Sequence, residues 1–131
     1  MINVSCAIIV DEMNRVFAAQ RSGTMNLPFK WEFPGGKIEE FETPENCLIR
    51  EIKEELGVDI EIVSTLPSNK HVYPTIMINL IPFICKLVEG EIVLKEHACF
   101  KWLNSNELIN LDWAEADKPI LYHYLNSINA T

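Results

Sequence analysis

The sequence predicts an α/β (α+β) fold, a mixed β-sheet carrying one central and one C-terminal helix. Three observations predict it. Short runs rich in Val, Ile and Phe recur along the chain, each bounded by turn residues, as strands are. One segment, 44–56, combines a four-residue apolar period with helix start and stop signals. The chain has 131 residues, 48% of them hydrophobic, enough for one core in one domain, residues 1–131.

The elements follow in order. Residues 2–10 are apolar and β-branched, as in a strand buried on both faces. Residues 11–14 read as a turn, and 16–19 as a strand that forms a hairpin with the first. Residues 21–31 read as a loop punctuated by Ser22-Gly23 and Pro28. Trp31-Glu32-Phe33 leads into Pro34-Gly35-Gly36, expected as a tight, flexible turn. Thr43 is the expected N-cap of the central helix, Pro44 its first residue and Gly57 its terminator. Leu48, Ile52 and Leu56 repeat every four residues, with Ile49 beside them. Residues 58–66 and 75–88 read as strands, with Pro82 marking an edge or a bulge. Ile92-Val93-Leu94 is expected to continue the meander and 99–103 to add a short strand. Ser105 is expected to cap a short helix through Leu108. The tail from Ala116 has a helical pattern of Ile120, Leu121, Tyr124, Leu125 and Ile128.

Composition excludes several classes. A net charge of −8 opposes binding of nucleic acid and of anionic membrane surfaces. The most apolar stretch, 76–85, is too short to span a bilayer, and the start lacks the basic region of an export signal. Cys6, Cys47, Cys85 and Cys99 form no C-x-x-C pair and no zinc spacing, so they read as reduced core thiols in a reducing cytoplasm. His71, His97 and His123 are scattered, and only His97 is expected to flank a site, through its neighbour Glu96.

The polar side of the central helix is the informative feature. Glu51, Glu54 and Glu55 stand at i, i+3 and i+4, on an arc separate from the apolar one. Like charges so spaced repel by roughly 0.2–0.5 kcal/mol per pair. Arg50 and Lys53 relieve part of that, as on any solvated acidic face. A hard divalent cation would reverse the sign, since Mg²⁺ takes carboxylate, water and phosphate oxygens.

The wider spacing decides between those readings. Gly36 is followed after five residues by Glu42. Seven residues later comes Arg50-Glu51-Ile52-Lys53-Glu54-Glu55-Leu56-Gly57-Val58. This matches every specified position of the Nudix box, so the chain resembles the Nudix hydrolase family. The run 31–39, Trp-Glu-Phe-Pro-Gly-Gly-Lys-Ile-Glu, is similar to the MutT branch. Glu96-His97, Trp102 and residues 116–120 resemble its cytidine triphosphate pyrophosphohydrolase subgroup. The similarity runs from about residue 2 to residue 125.

The resemblance implies a mixed sheet sandwiched between helices, with the box as loop-helix-loop. It implies Mg²⁺, with Mn²⁺ as the alternative ion, held by Glu51, Glu54, Glu55, the Gly36 carbonyl and Glu96. It implies Arg50 orienting the adjacent glutamate, Glu42 tying loop to helix, and Glu51 or Glu54 as general base. Arg21 and Lys37 are the implied phosphate contacts, Phe33 an aromatic wall and Asp117 the reader of the base edge. The implied reaction is nucleoside triphosphate plus water to monophosphate and pyrophosphate. A carboxylate at 117 accepts from an exocyclic amine such as cytosine N4, and equally from guanine N1 and N2, but Ile76 stands where the branch has a substrate-contacting arginine. The expected substrate is therefore (d)CTP or a 5-modified dCTP. Cleansing of 8-oxo-dGTP is the alternative enzyme reading, and a non-catalytic nucleotide sensor the reading from another class. The chain is expected as a monomer or homodimer.

Overall fold

The computed structural model describes residues 1–129. Its strands are β1 (Ile2–Val10), β2 (Val16–Gln20), β3 (Trp31–Glu32), β4 (Gly35–Lys37), β5 (Asp59–Thr65), β6 (Asn69–Tyr73), β7 (Ile76–Glu89) and β8 (Cys99–Leu103). Helix α1 (Pro44–Leu56) follows β4. Helix α2 (Lys118–Asn129) follows two 3₁₀ turns, Ser105–Asn110 and Glu115–Asp117. No helix among the described residues is long and apolar enough to cross a membrane.

β1 is central. β7 runs parallel to it from Ile2 opposite Ile78 to Val10 opposite Lys86. The other edge of β1 is shared by two antiparallel partners, β4 along residues 4–6 and β2 at Val10. The sheet extends to β3 and β8 through β2, and to β5 and β6 through β7. Alternation along the strands divides the core in two. Cys6, Ile8, Val16 and Ala18 face Ile120, Leu121 and Tyr124 of α2. Ala7, Ile9, Phe17 and Ala19 face Leu48, Ile52 and Leu56 of α1. The sheet is thus sandwiched between helices, as the resemblance implies. The three α1 residues are fully buried, and each contributes about 1.5–3 kcal/mol.

Local chemistry fixes α1. The Thr43 hydroxyl accepts from the Asn46 amide at 3.1 Å, satisfying a first-turn donor. Gly57, at φ +71°, closes the other end by donating to the Lys53 carbonyl at 3.0 Å.

Four expectations are corrected. Residues 35–37 form strand β4 rather than a flexible turn, because Gly35 lies flat against β1, where a Cβ would strike the Ser5 carbonyl. Ile92-Val93-Leu94 is not a strand; Val93 and Lys95 donate instead to the Leu56 and Glu55 carbonyls, which α1 leaves free at its C-terminal end. The short helix is a 3₁₀ turn capped from Asn104, not Ser105, and the Glu107 carboxylate accepts the Asn104 amide at 2.9 Å. Pro82 marks neither an edge nor a bulge of its own: β7 is interior, and at Pro82 it changes partner from β6 to β5. The Leu66 amide donates to the Pro82 carbonyl at 3.2 Å, and the absent proline N–H falls in the same break.

Candidate active site

The site is built where β4 passes between β1 and the start of α1. The Ser5 hydroxyl of β1 donates to the Pro44 carbonyl at 2.8 Å, and the Cys47 thiol lies 3.5 Å and 3.4 Å from the Gly36 and Lys37 carbonyls. Gly36 is thereby pressed against α1, so closely that a Cβ there would overlap the Glu51 carboxyl.

Arg50 organises the acidic face. It donates to both oxygens of Glu42, Nε to Oε2 at 2.7 Å and Nη2 to Oε1 at 2.9 Å. Its Nη1 reaches Glu51 at 2.9 Å and Glu54 at 3.2 Å. Hydrogen bonds from Arg50 hold the Glu42 carboxyl down at about 2, and the same pairing raises the Arg50 pKa. Burial lifts Glu51 above the usual carboxylate range, against the pull of Arg50.

Glu55 is different. It turns inward, and burial pushes its carboxyl up to about 9, helped by the charges of Glu32, Glu51 and Glu96. Its Oε2 is buried without a hydrogen-bond partner among the described residues. Among those residues no three acidic, histidine or cysteine side chains are already gathered as a metal cluster. Uncompensated carboxylates repel, and Arg50 takes two of them instead. The donors nonetheless suit a hard divalent cation: all are oxygens, and one is a buried oxygen left unsatisfied. Glu96 is exposed on the segment before β8, close enough for its charge to raise Glu55.

A cavity of about 560 Å³ opens beside these carboxylates. Gly36, Lys37 and Glu55 line it, together with Phe33, Tyr73, Ile76 and Asp117; Arg21 and Glu32 also face it. Phe33 is core as well as wall, packing on Trp113 with ring centroids 4.6 Å apart. Asp117 is buried, and its Oδ2 accepts the Phe33 amide at 2.9 Å. Burial, with the Glu32 charge, raises its carboxyl well above the usual range. Tyr73 fixes the turn carrying Asp117, its hydroxyl accepting the Ala116 amide at 3.1 Å.

Of the site residues expected from the sequence, Arg21, Phe33, Gly36, Lys37, Glu55 and Asp117 line the cleft, whereas Arg50, Glu51, Glu54 and Glu96 are not among its lining residues; Glu51 abuts Gly36, and the Glu54 side chain is 59% exposed. Sequence reasoning missed Glu32, which pairs with Arg21 at 2.6 Å and with His97 at 2.8 Å. Its only signal is its place in the run 31–39, where nothing in the spacing gives it a partner.

The NUDIX domain family model matches residues 1–124. The chain belongs to the Nudix hydrolases. This Nudix hydrolase is 37% identical over 98 residues to an 8-oxo-dGTP diphosphatase of Proteus vulgaris, covering 75% of this chain and 88% of the relative. It is 30% identical over 125 residues to a CTP pyrophosphohydrolase of Escherichia coli K12, covering 95% and 92%. The solution structure of the MutT protein of methicillin-resistant Staphylococcus aureus 252 is 40% identical, covers 96% of each chain and superposes with a TM-score of 0.77. Hydrolases of this family generally use a divalent metal and act on nucleotide substrates.

Proposed function

We propose that this single-domain Nudix hydrolase is a Mg²⁺-dependent pyrophosphohydrolase, converting a nucleoside triphosphate and water to the monophosphate and pyrophosphate. The observation that carries the reading is one cleft lined by two chemically distinct sets of residues. Gly36, which abuts the Arg50-paired Glu51, and Glu55 with its unsatisfied oxygen line it, and so does Asp117, a buried acid among apolar residues.

Glu51, Glu54, Glu55, the Gly36 carbonyl and Glu96 would hold the ion. When bound, Mg²⁺ supplies Lewis acidity toward the phosphoryl oxygens and the attacking water. Arg50 sets the rotamers of Glu51 and Glu54, and one of these two carboxylates takes the proton from water. Arg21 and Lys37 bring positive charge to the phosphates. Phe33 and the apolar wall exclude water from the base, and Asp117 meets its polar edge.

Asp117 supports a base offering an amine, cytosine first, hence (d)CTP or a 5-modified dCTP. The second reading, 8-oxo-dGTP, is favoured by relatives such as the Proteus vulgaris protein, named an 8-oxo-dGTP diphosphatase. The test is a nucleotide panel with Mg²⁺, following pyrophosphate against orthophosphate. Pyrophosphate and monophosphate are expected, with dCTP ahead of 8-oxo-dGTP. Faster turnover of 8-oxo-dGTP replaces the first base reading with the second. Orthophosphate release, or no turnover of any triphosphate, defeats the proposal.

A further inference from the structure

We infer that His97 is a positioning residue that fixes Arg21 toward the cleft through Glu32; this rests on the reading of Arg21 as a substrate contact. His97 lies between β7 and β8, its side chain 1% exposed. Its Nε2 stands 2.8 Å from Glu32 Oε2. A carboxylate only accepts, so that nitrogen carries the hydrogen. The other oxygen of Glu32 accepts from Arg21 Nη1 at 2.6 Å, and Arg21 Nε donates to the Asn26 carbonyl. Arg21 Nη2 has no protein partner among the described residues. His97 is the buried end of a chain whose other end opens on the cavity.

Two observations single out the histidine. Its Nδ1 is buried with no hydrogen-bond partner among the described residues. A buried orphan is destabilising, and an apolar side chain of similar volume would avoid it. What the ring supplies in return is the bond to Glu32. The second observation concerns Glu32 itself, whose charge acts on both Glu55 and Asp117. A partly buried charge that lost this partner would turn toward solvent, and Arg21 would move with it. His97 is a firm anchor because its segment is pinned on both sides. The Lys95 amide donates to the Glu55 carbonyl at 3.3 Å, and the Ala98 amide to the Gln20 carbonyl at 2.9 Å.

The experiment is steady-state kinetics at saturating Mg²⁺ with dCTP, and with 8-oxo-dGTP in parallel. His97→Leu should raise KM about tenfold and leave kcat within about twofold. In His97→Gln the amide reaches about as far as Nε2 and donates, so KM should return to within about threefold of wild type. Arg21→Ala should itself raise KM, and adding His97→Leu to it should change KM by less than about twofold, because the two act in series. If His97→Leu does not fold by circular dichroism, His97→Asn, too short to reach Glu32, takes its place. The inference is overturned if KM is unchanged, if kcat falls alone, if Gln is no better than Leu, or if the effects multiply in full. Should Arg21→Ala leave KM unchanged, the reading of Arg21 fails first, which separates the two outcomes.

Discussion

Gly35 and Gly36 are neighbours in sequence, but a methyl group would meet different obstacles at the two. At Gly35 the added Cβ would meet the Ser5 carbonyl and Cys6 Cα, the backbone of the central strand, which has nowhere to go. At Gly36 it would meet the Glu51 carboxyl, the far end of a side chain that can swing aside. Gly35→Ala should therefore cost about 2 kcal/mol or more of stability. Gly36→Ala should unfold in urea near the wild-type midpoint but lose Mg²⁺-dependent turnover by about 10–100-fold, the usual penalty for misplacing a metal ligand. Equal loss of stability in both variants would show that Glu51 does not yield. The contacts legible in the sequence are those carried by close spacing: Glu42, Arg50, Glu51 and Glu54 lie within one loop and helix, and they meet as the box implies. Glu32 with His97, and Phe33 with Asp117, were illegible as contacts because 65 and 84 residues separate the partners. Only the fold brings them together.

Elements were legible in proportion to how local their determinants are. Both ends of α1 were readable because Thr43, Pro44 and Gly57 act within a turn of the helix they bound. β6 left no readable pattern: Asn69-Lys70-His71-Val72-Tyr73 is polar and partly exposed, and it is a strand because β7 offers it a ladder. The segment 92–94 had the composition of a strand, yet the amides of Val93 and the following Lys95 cap α1, a tertiary preference that composition does not carry. The loop entering α1 holds a further conflict. Phe41 has φ +66° and is 100% exposed, so its ring gains nothing from burial while its backbone is left-handed. That conformation costs an L-residue about 1–2 kcal/mol. Glycine avoids it but loses about 0.5–1 kcal/mol through its freer unfolded chain. Phe41→Gly should thus raise stability by up to about 1 kcal/mol. A higher urea midpoint at unchanged m is the expected result, and an unchanged or lower one removes the strain argument.

At the scale of the molecule, two ordinary hydrophobic faces flank a costly place, the inward-facing Glu55 of a chain with net charge −8. Its carboxyl ionises at about 9 in the folded protein, against an ordinary value of 4.5. The folded state therefore holds a proton that the unfolded chain has released across that window. The contribution of Glu55 to the stability of the metal-free protein is full below about 4.5, declines as pH rises, and is lost above about 9. A cation that takes Glu55 as ligand must displace the same proton. Titration calorimetry at pH 7.5, in buffers of different ionisation enthalpy, should accordingly show about one proton released per site filled by Mg²⁺. The rise in Tm on adding Mg²⁺ should grow between pH 6 and pH 9, because less work is needed to ionise the ligand as the pH approaches its pKa. Glu55→Gln should abolish the proton release and remove the Glu55 share of the metal-free pH dependence together, leaving the share of Asp117 and Glu51. Proton release that survives in Glu55→Gln would place the titrating ligand elsewhere. Mg²⁺ binding without any release would mean that Glu55 is not a ligand at all, and that its buried oxygen is an orphan of the fold alone.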